Sequence, residues 1–226
     1  MTHLTIENVT KTYFLEGNKI DAVSNITLGI NKGEFVSIVG HSGSGKTTLL
    51  SIIGGIARPT SGRVVFEGDD LYALDSDRLS GYRCEKIGFM FQFSSLLPVL
   101  TAKENILLSV LFKSNGGASD VHEEKAVELL KMVGLGDKIN AYPSQLSGGQ
   151  QRRVAIARAF MNDPELILAD EPTGDLDEET EAEMMRFFKS MNAGKNITFI
   201  MVTHNSDLAM QTGRRLRMSN GAIAEL

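Results

Sequence analysis

FVSIVGHSGSGKTT, residues 35–48, decides how this chain folds. Phe35–Val39 is a short, continuous, β-branched apolar run, the pattern of a strand buried on both faces of a parallel sheet. Gly40-His41-Ser42-Gly43-Ser44-Gly45-Lys46-Thr47 follows it and fits G-x-x-x-x-G-K-[ST] in full. Leu49, Leu50, Ile52 and Ile53 then recur at helical spacing. A strand, a glycine turn and a helix in that order make a cradle for phosphate. Glycines let successive N–H groups converge on one anion, and the helix N-terminus adds partial positive charge at the same spot. Lys46 can reach β and γ phosphates, and the Thr47 hydroxyl suits Mg²⁺. The stretch points to ATP or GTP and does not choose between them.

Further on, Leu166-Ile167-Leu168-Ala169 is another apolar run, and it ends in Asp170 and Glu171. In a parallel sheet ligands gather at the C-terminal ends of strands. Asp170 is therefore expected near a Mg²⁺ held at the phosphate loop. Glu171 projects differently and is a candidate base for an attacking water. Pro172-Thr173-Gly174 turns the chain directly after the pair. An acidic pair that merely caps a helix is the bland alternative, and the phosphate loop upstream weighs against it.

The remaining segments fill in an α/β layout. Leu4–Tyr13 and Ser24–Ile30 alternate apolar and polar residues, as antiparallel strands with one wet face do. Arg63–Phe66, Ile87–Phe91 and Ile197–Val202 read as further strands. The stretch from about Lys103 to Met161 reads as helical. Within it, Asp120 with Glu123 marks a helix start and Gly134 a stop. Ser147 opens another helix that runs through Arg153–Ala159. Asn220-Gly221 between two short runs marks a hairpin. There is no internal repeat and no heptad run.

Composition narrows the function. The 226 residues are 42% hydrophobic and 23% charged, enough to bury a core in one domain with an inserted lobe. A net charge of −5 gives no electrostatic case for nucleic acid as a partner. Cys84 stands alone, so no internal disulfide forms. The four histidines show no metal-ligand spacing. The N-terminus lacks a signal-peptide pattern, and no apolar run reaches the roughly 20 residues of a spanning helix. A soluble, cytoplasmic chain is expected, with any membrane role supplied by a partner.

Leu146-Ser147-Gly148-Gly149-Gln150 makes the reading specific, because it resembles the signature of ABC ATPases. Other elements of that family fall in order along essentially the whole chain. Gln92 is similar to the Q-loop glutamine, Asp175-Leu176-Asp177 to the D-loop, His204 to the switch histidine and Tyr13 to the aromatic that stacks on adenine. The resemblance implies a RecA-like P-loop NTPase core with a mostly parallel sheet. It also implies an N-terminal antiparallel β subdomain and an α-helical subdomain inserted at about 93–160, all within one ABC ATPase domain, 1–226.

The roles it implies follow residue by residue. Tyr13 packs against adenine, while Gly40, Ser42, Gly43, Ser44, Gly45, Lys46, Thr47 and Thr48 hold the phosphates. Thr47, Gln92 and Asp170 serve Mg²⁺, Glu171 is the general base, and His204 contacts the γ-phosphate. Ser147, Gly148, Gly149 and Gln150, with Asp177, belong to the nucleotide site of a second copy in a head-to-tail dimer. A helix N-terminus with bare donors at Ser147 suits that role, and two composite sites make a two-fold assembly. Asp175 departs from the small or amide residue of many relatives, and the expectation is that its charge beside Asp177 disfavours ATP-bound dimerisation at low salt without abolishing activity.

Ile53-Gly54-Gly55, Ile87–Gln92, Leu96–Asn105 and Glu171–Gly174 resemble one branch of the family. That branch comprises the ATPases of lipoprotein-releasing systems, macrolide exporters, antimicrobial-peptide exporters and a related cell-division complex. It implies a separate membrane permease with few spanning helices, driven by force transmission. It also implies a peripheral position on the inner face of the cell membrane. Gln92 to about Leu111 is the expected groove for a helix of that permease. A soluble ABC ATPase for DNA repair lacks the long coiled coil it needs here. A translation-associated one would carry two nucleotide domains. A phosphate-loop kinase leaves the signature unexplained, and a sugar importer often adds a C-terminal domain.

Overall fold

The computed structural model describes residues 2–15, 17–113 and 119–226. Two long strands open the chain, β1 (Thr2–Leu15) and β2 (Asn18–Asn31), paired antiparallel. Leu4, Ile6 and Val9 of the first and Val23, Ile26 and Ile30 of the second turn to the core. Both run further than the alternation predicts. Pairing continues through Phe14 and Lys19, where the side chains are exposed, so backbone hydrogen bonds extend the strands beyond what burial marks.

Then come β3 (Phe35–Val39), α1 (Lys46–Ile53), β4 (Ser61–Phe66), β5 (Asp69–Asp70) and the short α2 (Ser76–Gly81). Strand β6 (Ile87–Met90) leads into α3 (Ala102–Leu107), α4 (Asp120–Met132) and α5 (Gly148–Ala159). The chain continues through β7 (Leu166–Asp170), α6 (Glu178–Lys195), β8 (Thr198–Thr203) and α7 (Ser206–Ala209). The hairpin β9 (Arg214–Ser219) and β10 (Ala222–Glu225) completes the set. Its turn takes positive φ at both Asn220 and Gly221, as the dipeptide demands.

Two sheets result. One is antiparallel in the order β2-β1-β4-β5. The other runs β10-β9-β3-β8-β7-β6 and is parallel except for the β9–β10 pair. The continuous apolar runs are its central strands, and they are apolar because both faces are covered. Val36, Ile38, Leu166, Leu168, Ile200 and Val202 pack with α1 and the antiparallel sheet. Phe35, Ile167, Ala169, Phe199 and Met201 pack on the opposite face with α3 to α6.

The helical stretch contains the separate helices α3, α4 and α5. Positions 114–118 within it, like Met1 at the start of the N-terminal stretch, lie outside the described residues. The cap of α4 falls one residue earlier than Asp120 and Glu123 indicate. Ser119 is the N-cap, and its N–H donates to His122 Nδ1 at 3.2 Å. An imidazole here fills the place usual for Glu or Gln. The longest helix, α6, is missing from the sequence reading, although Met184, Phe187, Phe188 and Met191 recur at helical spacing and are buried.

Candidate functional site

The loop between β3 and α1 is braced by close backbone approaches. Gly45 takes φ +105, and a Cβ there would sit 1.9 Å from Ala22 O. A Cβ on Gly40 would sit 2.3 Å from Met218 O. Gly221 N–H donates to Ser44 O at 3.1 Å, so the β9–β10 turn props the loop from behind. Only glycine fits both crowded positions, and the packing demands this independently of any ligand. The first turn of α1 adds N–H groups with no acceptor inside the helix. Lys46, nearly buried, folds back along the loop and donates to Gly40 O at 2.8 Å and His41 O at 2.9 Å.

Strand β7 brings its carboxylates to this loop. Thr47 Oγ1 donates to Asp170 Oδ2 at 2.7 Å. Asp170 is buried, and burial pushes its carboxyl above the usual range. The Thr47 hydrogen bond, Lys46 and Arg152 pull it down, and the neighbouring Glu171 adds to the rise. Glu171 sits in the left-handed region at φ +47, which sends its side chain away from that of Asp170 toward the end of β8. Its Oε1 accepts the His204 N–H at 2.8 Å and lies 2.8 Å from His204 Nδ1. Its Oε2 accepts from Thr203 Oγ1 at 3.1 Å.

Lys46, Thr47, Asp170, Glu171 and His204 line a single cleft of about 460 Å³, together with Ser42, Gly43, Ser44, Gly45, Thr48, Gln92 and Asp175. Ala22, Phe93 and Gly174 also line it, and the sequence reading did not single them out for it. Other expected site residues lie apart. Gly40 sits under the loop and not on the cleft wall. Tyr13 is exposed on β1, beneath the Lys11 ammonium at 5.1 Å. Ser147 caps α5: its Oγ accepts the Gln150 N–H at 3.2 Å, and Gln150 Oε1 accepts the Ser147 N–H at 2.9 Å. Gly148 and Gly149 occupy the first turn of that helix. Asp177 caps α6 by accepting from the Thr180 N–H at 2.9 Å and its hydroxyl at 2.8 Å.

One residue joins these parts and was not expected. Arg152, two residues past Gln150 on α5, is buried with its guanidinium among backbone carbonyls. It donates to Pro172 O at 2.8 Å, Gln92 O at 2.6 Å and Asp170 O at 3.3 Å, and also to Phe91 O and Glu171 O. Burial lowers its pKa, while Asp175, Asp170 and Glu171 favour its charge. A signal for it exists in the sequence: Arg152, Ile156 and Ala159 form the buried stripe of α5, and an arginine on such a stripe must have buried acceptors.

Beside Gln92 a second, apolar cleft of about 450 Å³ is lined by Ile56, Phe89, Phe91, Leu108, Phe112 and Arg158, among others. Of the apolar residues expected to form a groove after Gln92, Leu96 packs on the core, whereas Phe93, Leu97 and Val99 are exposed.

Comparison with known proteins matches residues 23–174 to the sequence model of the ABC transporter family. The chain is 40% identical to the lipoprotein-releasing system ATP-binding protein LolD of Myxococcus xanthus, over 100% of both chains. It is 43% identical to the macrolide export ATP-binding/permease protein MacB of Syntrophobacter fumaroxidans, over 99% of this chain and 31% of that one. This chain therefore spans about a third of the length of that relative. Among solved structures it superposes on the ATP-binding cassette MJ0796 of Methanocaldococcus jannaschii, a dimer in a post-hydrolysis state bound to ADP and Pi. The TM-score is 0.93 at 43% identity, covering 99% of this chain and 98% of that one.

Proposed function

The chain belongs to the ABC transporter family as an ATP-binding cassette with ATPase activity, and on that premise we propose that it drives a separate membrane permease by ATP-dependent pairing of two copies. The observation that carries this reading is the convergence of Lys46, Thr47, Gln92, Asp170, Glu171 and His204 on one cleft. In this reading residues 1–226 act as one ATPase domain, and about 93–160 act as the helical subdomain that meets the permease.

Lys46 and the amides of Gly43 to Thr48 hold the phosphates, and Tyr13 packs on the adenine. Thr47, Gln92 and Asp170 would hold Mg²⁺. The fit is good: the donors are all oxygens, and a buried carboxylate whose charge is disfavoured by burial gains most from a hard cation. Mg²⁺ supplies charge neutralisation at the β and γ phosphate oxygens. Glu171 takes a proton from water at a carboxylate oxygen, and His204 and Thr203 hold that carboxylate in place until it does. Ser147, Gly148, Gly149 and Gln150, with Asp177, complete the site of the opposite copy. A capped helix start that is not part of its own phosphate cleft supports that division of labour.

The apolar cleft beside Gln92 suits an amphipathic helix of the permease. Among the described residues no helix is long and apolar enough to cross a membrane, which supports a peripheral place on the cytoplasmic face through that contact. The relatives LolD and MacB, by their names, favour lipoprotein release or macrolide export, and force transmission through the permease is the mode proposed for it. The test is Glu171→Gln with ATP, followed by light scattering. A dimer that forms only with ATP is the expected result, and a monomer at saturating ATP contradicts shared sites. Recovery of a few-helix permease with the tagged chain from native membranes is the expected companion result. Recovery of a many-helix channel contradicts force transmission.

A further inference from the structure

At the opposite end of β7 from Asp170, the side chains of β1, the turn after β4 and the entrance to β7 meet in a second polar cluster. His3 on β1 is 3% exposed. Its Nδ1 lies 2.7 Å from Thr198 Oγ1, and that oxygen accepts the Gly33 N–H at 3.0 Å. Its Nε2 is buried with no hydrogen-bond partner among the described residues. That atom faces Glu67 Oε1 at 3.6 Å and Glu165 Oε2 at 3.8 Å. Both separations are too long for hydrogen bonds. They are close to the roughly 3.4 Å between neighbouring ligand atoms in a tetrahedral site with bonds of about 2.1 Å. The three ligand atoms all lie within 4.8 Å of one another.

A cation already serves the two carboxylates. Lys32 Nζ lies 2.6 Å from Glu165 Oε2 and 3.2 Å from Glu67 Oε1, the same two oxygens that face His3. Lys86 pairs with Glu165 Oε1 and lies 4.0 Å from Glu67 Oε2. The Lys32 side chain is 43% exposed, so it can withdraw into solvent without breaking the core.

We propose that His3, Glu67 and Glu165 form a binding site for a divalent transition-metal ion of the zinc class, which displaces the Lys32 ammonium from the two carboxylates. One imidazole and two carboxylates form a borderline donor set that suits zinc better than Mg²⁺, which prefers oxygen alone. Thr198 fixes the imidazole from behind: Nδ1–H donating to its Oγ1 leaves the Nε2 lone pair aimed at the ion, the usual outer support of a ligating histidine. The neutral imidazole is the form that binds metal. The ion ties the antiparallel sheet, through His3 and Glu67, to the parallel core, through Glu165. Metal and lysine compete for the same oxygens, so removing the lysine must strengthen metal binding, which a merely structural ion-pair cluster does not predict.

The test is calorimetric titration of the whole chain with ZnCl₂ in the absence of nucleotide, with Co²⁺ absorption as a second readout. One saturable equivalent is expected, weakened at least about tenfold in His3→Gln and Glu67→Gln and strengthened about tenfold in Lys32→Met. Co²⁺ is expected to give the visible bands of a low-coordinate nitrogen–oxygen site in Lys32→Met. Glu67 is exposed, so its variant folds even if His3→Gln does not. Equal Zn²⁺ affinity in the parent, Glu67→Gln and Lys32→Met overturns the proposal. So does the absence of saturable binding to Lys32→Met, or binding lost in His204→Ala but unmoved by Glu67→Gln.

Discussion

The two ends of β7 treat their acids in opposite ways. At the strand's start, burial pushes the Glu165 carboxyl up, but hydrogen bonds from Lys32 and Lys86 outweigh it and hold the pKa down at about 2. At the strand's finish, burial pushes Asp170 up, and the Thr47 hydroxyl with nearby Lys46 and Arg152 does not bring it back. Both groups lose water. Only one has ammonium groups in direct contact. An acid left short of positive charge takes up a cation directly, whereas an acid supplied with it stabilises the fold and reaches a metal only by giving up its lysine.

The sharpest break of this comparison is kinetic. Glu171→Gln is expected to slow ATP turnover by about 10²–10⁴-fold with nucleotide affinity retained. Glu165→Gln should leave turnover per folded molecule near that of the parent in the same steady-state assay. Comparable slowing in both would mean that the strand's two ends do not differ in function. Next in size is Arg152→Met, which strands five carbonyl acceptors under Gln92 and Glu171. Denaturant unfolding should register a loss of about 3 kcal/mol. Arg152→Lys should recover only part of it, because an ammonium cannot span that fork of acceptors.

Two smaller effects should carry opposite signs. Glu165→Gln is expected to cost about 2–3 kcal/mol at pH 7, discounted for the solvent around the lysines. A depressed acid contributes stability above its unfolded pKa, about 4.3, and loses it as pH falls through its folded value. The gap between parent and variant should therefore hold steady from pH 7 to 5 and close between pH 4.3 and about 2. Asp170 is a raised acid, so its contribution is present below its unfolded pKa and lost as pH rises through its folded value. Asp170→Asn should accordingly stabilise the nucleotide-free chain at pH 7 by about 1 kcal/mol while impairing turnover. A destabilised Asp170→Asn, measured by thermal melting, would contradict the view of that end as short of positive charge.

Much of this was legible because phosphate chemistry constrains backbone and side chain together. The run Phe35–Val39, the glycine loop, the strand ending in Asp170 and the Ser147 cap each appear where their residue patterns indicate. The α/β architecture follows from them, and the cassette structures it superposes on have it too. Arg152 escaped because its function depends on carbonyls from two distant segments, Phe91–Gln92 and Asp170–Pro172, and no local pattern encodes an acceptor. The His3 cluster escaped for the same reason, since its members are spread from residue 3 to residue 198. The strand ends near Phe14 and Lys19 escaped because hydrogen bonding there continues without burial.

The strand order β10-β9-β3-β8-β7-β6 sets a timetable for biosynthesis. Both neighbours of β3 are late strands: Val39 pairs with Thr203 on one side and Arg217 on the other. The Gly221 N–H that props Ser44 comes later still. A chain leaving the ribosome thus carries a complete phosphate-loop sequence long before it has the sheet that shapes it. Until β8 and β9 emerge, that glycine-rich segment has neither its flanking strands nor its brace, and pairing over such sequence distance is slow. The nascent chain is consequently unable to grip nucleotide for most of its synthesis, and the competence to bind ATP arrives in one late step with the closing of the central sheet.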